Sequence, residues 1–347
     1  MIMAERTSSF FDAEFRLRKI DRIGDPLQRL DEVIDWEFFR PILDKGFAKD
    51  APAKGPGGRP PFDHVLRFKV LILQALYNLS DDTMEYQLND RRTFQRFIGL
   101  DDKDAIPDAK TIWVWRETLT QKKKIGKLFK KFWDYLEKSG IKANSGSIVD
   151  ASFVDKPRQR NTREENEVIK SGAVPDEWQK PGNESMLKQK DLDARWTKKN
   201  DETHYGYKNH VKVDQKTKLI KKAVVTDASV HDSQALADLI DETDEGKTIH
   251  ADSAYSGQKQ IDEIKAQGAI PKVCEKGYRN KPLTKGQMKR NRSLSKKRVR
   301  VEHVFGHMTM SMGGMVVRCV GIIRTEAAII LKNLAYNMKR YCVLAGT

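Results

Sequence analysis

The stretch SIVDASFV, residues 147–154, is an apolar run interrupted by a single carboxylate, Asp150. A short run of apolar and β-branched residues predicts a buried strand. A carboxylate inside such a strand is costly unless a cation neutralises it. Asp150 is therefore a candidate functional residue, and the fold prediction starts from its strand.

Two further acids occur in similar settings. Asp252 ends the run TIHAD at 248–252, and Glu302 lies within RVRVEHVF at 298–305, in the most basic part of the chain. Converging carboxylates can hold a pair of metal ions, and their hard oxygen donors favour Mg²⁺ or Mn²⁺ over zinc. We therefore predict Asp150, Asp252 and Glu302 as catalytic metal ligands. Glu326 is a rival third ligand, but its place at a predicted helix start favours capping.

The elements after residue 144 predict the fold. Strands are predicted at 147–154, 205–213, 219–226, 248–252 and about 269–274, with helices after residue 229, at about 257–267, around Glu302 and at about 325–344. This order is typical of an RNase H-like mixed sheet. In such a sheet the first and fourth strands lie side by side, so Asp150 and Asp252 would meet. A helix packed against this edge would bring up Glu302.

The first 140 residues are predicted to be helical. Apolar residues recur at helical spacing in 63–77, and further helices are predicted at about 81–90, from Pro107 onward and at about 122–138. The Gly- and Pro-rich segment 51–61 predicts a loop or linker. We predict an α+β protein with a helical N-terminal domain at 1–140 and an RNase H-like domain, flanked by helices, at 144–347. Its densely charged segment at about 156–203 is predicted to be a surface insertion, partly mobile without a partner.

The basic charge is concentrated in one part of the chain. Of the net +15, residues 271–347 contribute 17 Lys and Arg against three acids, whereas residues 1–270 carry 47 against 46. A solvated basic face is one interpretation. Because the excess surrounds Glu302, we favour a polyphosphate partner such as DNA. The candidate phosphate-binding residues are Lys289, Arg290, Arg292, Lys296, Lys297, Arg298 and Arg300.

The composition also restricts the location of the protein. Apolar runs are too short for a membrane span, and the N-terminus lacks the apolar core of a signal peptide. The three cysteines are scattered without CxxC spacing, which favours a reduced compartment and argues against a zinc finger. We expect a cytoplasmic protein without membrane contacts, and DNA as its partner would make it nucleoid-associated.

Several longer stretches carry a family resemblance. They are GRPP at 58–61, LILQALYNLSDDTMEYQLNDRRTFQRFIGL at 71–100, IPDAKTIWVWRETL at 106–119, IVDASFV at 148–154, DARWTKKN at 193–200, HYGYKNHVKVD at 204–214, TDASVHDS at 226–233, HADSAYSG at 250–257 and RVRVEHVFGHM at 298–308. Over most of its length the chain resembles the DDE transposases of bacterial insertion sequences, specifically the insertion-sequence-five group of the four/five superfamily. The acidic triad of that family maps onto Asp150, Asp252 and Glu302.

The resemblance implies an activity and its partners. It implies a transposase that binds terminal inverted repeats, cleaves the ends of its element and joins the 3′-hydroxyls to target DNA by two-metal phosphoryl transfer. It also implies sequence reading by the N-terminal helices and a homodimer on double-stranded DNA. Two alternatives stay open, namely a metal-dependent nuclease without strand transfer and an inactive transposase-derived DNA-binding regulator.

The chain departs from the family at the third acid. The family signature is Tyr-x2-Arg-x3-Glu-x6-Lys, and Arg298 and Glu302 match it, whereas Ser295 and Thr309 replace the Tyr and the Lys. These flanking residues contact phosphates at the transposon end in such enzymes. Lys296, Lys297 or Arg300 are the candidates to substitute for the missing Lys.

Overall fold

The computed structural model describes residues 12–48, 60–101, 103–199 and 201–346, so most of the predicted linker lies outside the described residues. The α-helices are α1 Asp12–Ile23, α2 Pro26–Val33, α3 Arg40–Phe47, α4 His64–Tyr77, α5 Asp81–Asp90, α6 Arg92–Ile98, α7 Ala109–Gln121, α8 Ile125–Lys138, α9 Arg163–Lys170, α10 Glu184–Leu187, α11 Leu236–Leu239, α12 Gln258–Ala266, α13 Lys285–Ser311 and α14 Ile322–Leu344. The strands are β1 Ser147–Asp155, β2 Arg195–Lys199, β3 Glu202–Asp214, β4 Ile220–Asp227, β5 Thr248–Ala251 and β6 Ile270–Val273. None of the described helices combines the length and the apolar character that crossing a membrane requires.

The strands form one mixed sheet in the order β2-β3-β1-β5-β6, and β4 also pairs with β3. β1, β3 and β4 are antiparallel neighbours, whereas β5 and β6 run parallel to β1. The first predicted strand therefore lies beside the fourth, which is the relation that the RNase H-like prediction requires. The predicted α+β class is confirmed by this mixed sheet and its surrounding helices.

Local sequence signals determine where the N-terminal helices begin. The Asp63 side chain accepts hydrogen bonds from the Val65 and Leu66 amides at 2.8 and 3.2 Å, which caps α4. Ser80 caps α5 in the same way through the Thr83 amide. α8 buries one stripe at helical spacing, formed by Ile125, Leu128, Phe129, Phe132 and Leu136. The predicted helical character of this region agrees with the structure.

Helix α14 connects the N-terminal helices to the sheet. It contacts α4 and α8 on one side and β4 on the other, and a single hydrophobic cluster extends across all of them. Its buried amides are satisfied, because Asn333 exchanges hydrogen bonds with Asn209 of β3 and Asn337 bonds both backbone groups of Ile220. The N-terminal helices and the sheet therefore share one hydrophobic core across the predicted boundary near residues 140–144.

The charged segment 156–203 has more regular structure than predicted. It contains α9, a 3-10 turn at Asp176–Gln179, α10 and β2, which is an edge strand of the sheet. Trp178 is buried in it. The buried Asp191 accepts hydrogen bonds from Lys156, the Tyr207 hydroxyl and the amides of Asp193, Ala194 and Gly321. One carboxylate thus fastens this segment to the sheet and to the start of α14.

Candidate active site

The sheet brings Asp150 and Asp252 to the same place. Asp150 lies in the middle of β1, which pairs with β5 through Ser147 with Ile249 and Ile148 with His250. Continuing this register by two residues places Asp150 opposite Asp252. The Asp252 side chain accepts a 2.8 Å hydrogen bond from the Ala254 amide, which begins the 3-10 turn that follows β5. A strand end and a helical turn therefore fix the orientation of this carboxylate.

Helix α13 brings Glu302 to the same edge. Arg298 lies one turn before Glu302 and bridges two of the acids, with Nη1 2.6 Å from Asp150 Oδ2 and Nη2 3.0 Å from Glu302 Oε1. The side chain of Asp150 is only 15% exposed, whereas that of Glu302 is 53% exposed. One guanidinium thus shares its charge between a largely buried carboxylate and a half-exposed one.

Burial makes the charge of Asp150 costly. Burial raises the pKa of Asp150 to about 6, while the Arg298 guanidinium and the Ala151 amide lower this pKa and the negative charge of Asp252 raises it further. Lys199, at the end of β2, also lowers it. No pattern in the sequence links Lys199 to the site, because only the pairing of β2 with β3 brings this lysine near β1.

Tyr255 is a second residue that the sequence did not assign to the site. Its hydroxyl is completely buried and has no hydrogen-bond partner among the described residues. Burial raises the pKa of Tyr255, and the carboxylates of Asp232, Asp150 and Asp252 raise it further. An orphaned hydroxyl beside carboxylates is a polar group that lacks its partner in the protein alone.

The three acids suit a hard divalent cation in their chemistry, although Arg298 now pairs with Asp150 and Glu302. In the described part of the chain, no three His, Cys, Asp or Glu side chains are close enough together to hold a metal ion. The three predicted acids nevertheless supply the oxygen donors that Mg²⁺ and Mn²⁺ prefer. Asp150 and Glu302 already share one positive charge, that of Arg298. Arg298 would therefore compete with a metal ion for these two carboxylates.

The predicted phosphate-binding residues of α13 divide between the two sides of the helix. At about 100° per residue, Arg298 and Arg300 point about 200° apart. Arg298 faces the carboxylates, whereas Arg300 donates to the Gln215 carbonyl at the β3–β4 turn at 2.8 Å. Arg290 forms a pair with Glu275 at 2.7 Å. The other predicted cations are exposed, and these are Lys289, Arg292, Lys296 and Lys297.

The departures from the family signature lie on or near the same helix side as Arg298. Thr309 is eleven residues after Arg298, which places it only about 20° away around the helix. Lys296 and Arg300 lie on the opposite side, so the suggestion that either replaces the missing family Lys does not suit the helix geometry. The Ser295 hydroxyl lies 4.0 Å from the Cys274 sulfur.

Comparisons with known proteins show which family the chain belongs to. The family model described as "Transposase DDE domain" matches residues 142–338, and a model described as "Transposase domain (DUF772)" matches residues 15–118. The chain is also similar to the cryo-EM structure of the piggyBac transposase synaptic complex with hairpin DNA, with a TM-score of 0.45 and 12% identity over 95% of this chain and 77% of that one. The first match covers more than half of the sequence, so the chain belongs to the transposase DDE domain family.

Proposed function

We propose that this DNA transposase belongs to the insertion-sequence-five group, binds the terminal inverted repeats of its element, cleaves its ends and joins the 3′-hydroxyls to target DNA. The observation that carries this proposal is the link from Asp150 through Arg298 to Glu302, beside Asp252, within the region matched by the transposase DDE family. The proposed reaction would take place on DNA in the cytoplasm of the host.

Asp150, Asp252 and Glu302 would hold Mg²⁺, with Mn²⁺ as a substitute. When bound, the ions would activate water or a 3′-hydroxyl and stabilise the leaving oxygen. The raised pKa of Asp150, about 6, means that this carboxylate is charged at pH 7–8 and needs a nearby cation. Glu302 is half exposed and lies on the solvent side, so DNA and ions can reach it.

Arg298 would contact a phosphate of the transposon end. Its planar guanidinium can bind two phosphate oxygens at once, as it now binds two carboxylates. An approaching phosphate thus gives Arg298 an alternative partner and frees Asp150 and Glu302. Double-stranded DNA is the expected partner, because the excess positive charge surrounds these residues. The N-terminal helices would supply sequence reading, and two copies would hold the two ends.

Cleavage of DNA from the flanks of the gene tests this function. End-labelled flank DNA would be incubated with the native protein in Mg²⁺ or Mn²⁺ and compared with Glu302→Gln. A matched control is Glu326→Gln, which changes the exposed rival acid on α14. We expect metal-dependent nicks at the repeat tips with the native protein and the control, and a loss of at least about a hundredfold with Glu302→Gln.

Other outcomes would favour the alternatives. Tight binding of the repeats without any nick by the native protein would indicate a transposase-derived regulator. Nicks without joining of 3′-hydroxyls to a target plasmid would indicate a nuclease. Loss of nicking in Glu326→Gln, with retention in Glu302→Gln, would show that the third ligand is misassigned.

A further inference from the structure

A groove of about 900 Å³ lies away from the three acids, where the N-terminal helices, the charged segment and α14 meet. Its wall comes from α4, α7 and the start of α5, from the end of α10, and from the connection between α13 and α14. Val154 of β1 also contributes. Neither the proposed reaction nor the family signature uses this groove.

Two of the arginines that line the groove are neutralised within the protein. Arg116 forms two hydrogen bonds to the Asp81 carboxylate, at 2.6 and 2.7 Å. Arg324 forms two to Glu117, both at 2.8 Å. These pairs add no net charge to the groove.

Four other cations line the groove without such a partner, namely Lys188, Lys190, Arg318 and Lys332. In the described part of the chain, no salt bridge within 4.0 Å joins any of them to a carboxylate. Lys190 donates to the Asn161 side chain at 2.7 Å and to the Arg160 carbonyl at 3.3 Å. Arg318 donates only to the Asn78 carbonyl, at 3.3 Å. Asp82 is an exposed acid on the wall, so positive charge remains in excess.

Lys332 is the strongest sign of a missing anion. The residue is only 6% exposed, and its ammonium donates to the Met312 carbonyl at 2.8 Å. Burial lowers the pKa of Lys332 to about 8, and the charge of Arg318 lowers it further. A buried ammonium without a counter-ion is unfavourable in the protein alone. The carbonyl of Met312, which ends α13, accounts for only one of its three donors.

The groove also offers exposed apolar surface and has one wall residue on the strand that carries Asp150. Trp113 and Val316 line it and are 45% and 37% exposed. Val154 is four residues after Asp150, so both side chains lie on the same face of β1. The separation is about 13 Å along the strand, at roughly 3.3 Å per residue, and Val154 itself is only 1% exposed. A DNA strand that passed both the groove and the candidate active site would span this distance.

We propose that this groove binds a phosphate-bearing ligand, the sugar-phosphate backbone of DNA beyond the cleaved end, through Lys332, Arg318 and Lys188. Lys332 and Arg318 contact phosphate oxygens, and Lys188 neutralises the approach from the side of α10. Trp113 and Val316 pack against the sugar or base. The identity of the ligand as DNA rests on the proposed function, whereas the anion site does not depend on it.

Full-length variants test the site. Lys332→Met, Arg318→Gln and Lys188→Gln would each be compared with Lys339→Met, a matched control with a partly buried lysine on the same helix, outside the groove wall. Thermal unfolding with increasing inorganic phosphate would measure anion binding. Fluorescence anisotropy of labelled flank DNA over a range of salt concentrations would measure DNA binding.

We expect phosphate to raise the Tm of the native protein and of Lys339→Met, but not that of Lys332→Met. Each groove variant should weaken DNA binding and reduce the slope of log K against log salt by about one. Lys332→Met should unfold no earlier than the native protein in phosphate-free buffer, because it removes an uncompensated buried charge.

Three outcomes would overturn the proposal. Unchanged phosphate and DNA binding in all three variants, with a lower Tm in Lys332→Met, would make Lys332 only a cap of α13. Protection by phosphate without any change in DNA binding would indicate a small phosphate ligand instead of DNA. If Lys339→Met changed phosphate and DNA binding as much as Lys332→Met does, the loss of binding would come from the lower net charge and not from the groove.

The two proposals can fail separately. Loss of DNA affinity in the groove variants, combined with no nicking by the native protein, would sustain the groove and refute the transposase reaction. Nicking at the repeat tips, combined with unchanged DNA binding in the groove variants, would support the transposase reaction and refute the groove as a DNA site.

Discussion

The Arg298 guanidinium lies 2.6 Å from the Asp150 carboxylate, although 148 residues separate them in the chain. The same guanidinium reaches Glu302, one turn later on α13. Two predicted metal ligands therefore share a cation supplied by the protein itself. Arg298 stabilises the carboxylates without a metal, and it would compete with any ion for the same oxygens.

Replacing Arg298 with Gln should destabilise the protein and strengthen its response to metal. We expect a loss of about 1–3 kcal/mol in the free energy of unfolding, because the largely buried Asp150 loses its cation. The half-exposed Glu302 should contribute little. Without the guanidinium, Mn²⁺ should raise the Tm of the variant more than that of the native protein.

Thermal unfolding with and without Mn²⁺ measures both effects. Arg290→Gln is a suitable control, since Arg290 and its partner Glu275 are 63% and 37% exposed. An equal Mn²⁺ response in Arg298→Gln and the native protein would mean that Arg298 does not compete with the ion.

Restoring the family Lys at position 309 should strengthen binding of the transposon end. Thr309 lies on the same helix side as Arg298, so a lysine there can reach the same DNA strand. We expect Thr309→Lys to raise affinity for repeat DNA several-fold, on the order of 1 kcal/mol. The control is Met310→Lys, which adds the same charge to an 84% exposed neighbour about 100° around the helix. Fluorescence anisotropy measures the affinity, and equal gains in both variants would mean that only the added net charge strengthens DNA binding.

Asp191→Asn should be among the most destabilising changes outside the candidate site. It leaves the ammonium of Lys156 buried without a negative partner and weakens the attachment of the charged segment. We expect a loss of about 3–5 kcal/mol, measured by urea unfolding. Glu177→Gln breaks an exposed pair with Lys180 in the same segment and should cost below about 1 kcal/mol. Similar losses in the two variants would contradict this explanation.

His210 should make stability depend on pH. Its ring is fully buried and Nε2 lies 2.9 Å from the Thr226 hydroxyl, and burial lowers the pKa of His210 to about 4. Asp232 raises this pKa and Lys208 lowers it. The unfolded chain takes up a proton below its ordinary pKa of about 6.5, whereas the folded protein does so only near 4. This part of the stability is therefore present above pH 6.5 and lost as the pH falls toward 4.

The comparison of native protein with His210→Gln isolates this contribution. Between pH 7 and pH 5 the native protein should lose about 2 kcal/mol more than the variant. Urea unfolding at the two pH values gives the difference. Parallel losses would show that His210 does not carry the pH dependence.

Patterns of short range in the sequence determined the element types and the candidate acids. Asp63 and Ser80 mark the starts of α4 and α5, and the short apolar run around Asp150 marks β1. These signals depend on neighbouring residues only, through capping and through the apolar character of a buried strand. The excess of positive charge around Glu302 can likewise be counted from the sequence alone.

Only the tertiary structure decided which of these residues meet. The β1–β5 register, continued by two residues, brings Asp150 near Asp252, and the rotation of α13 turns Arg298 toward Asp150 and Arg300 away. Tertiary contacts also attach the charged segment to the sheet through Asp191 and bury Lys332 beside the groove. The physical reason is that long-range packing fixes the strand order and the rotation of each helix, and both depend on residues far apart in the chain. The sequence by itself therefore determined the kind of chemistry, whereas the fold determined which cation faces which carboxylate.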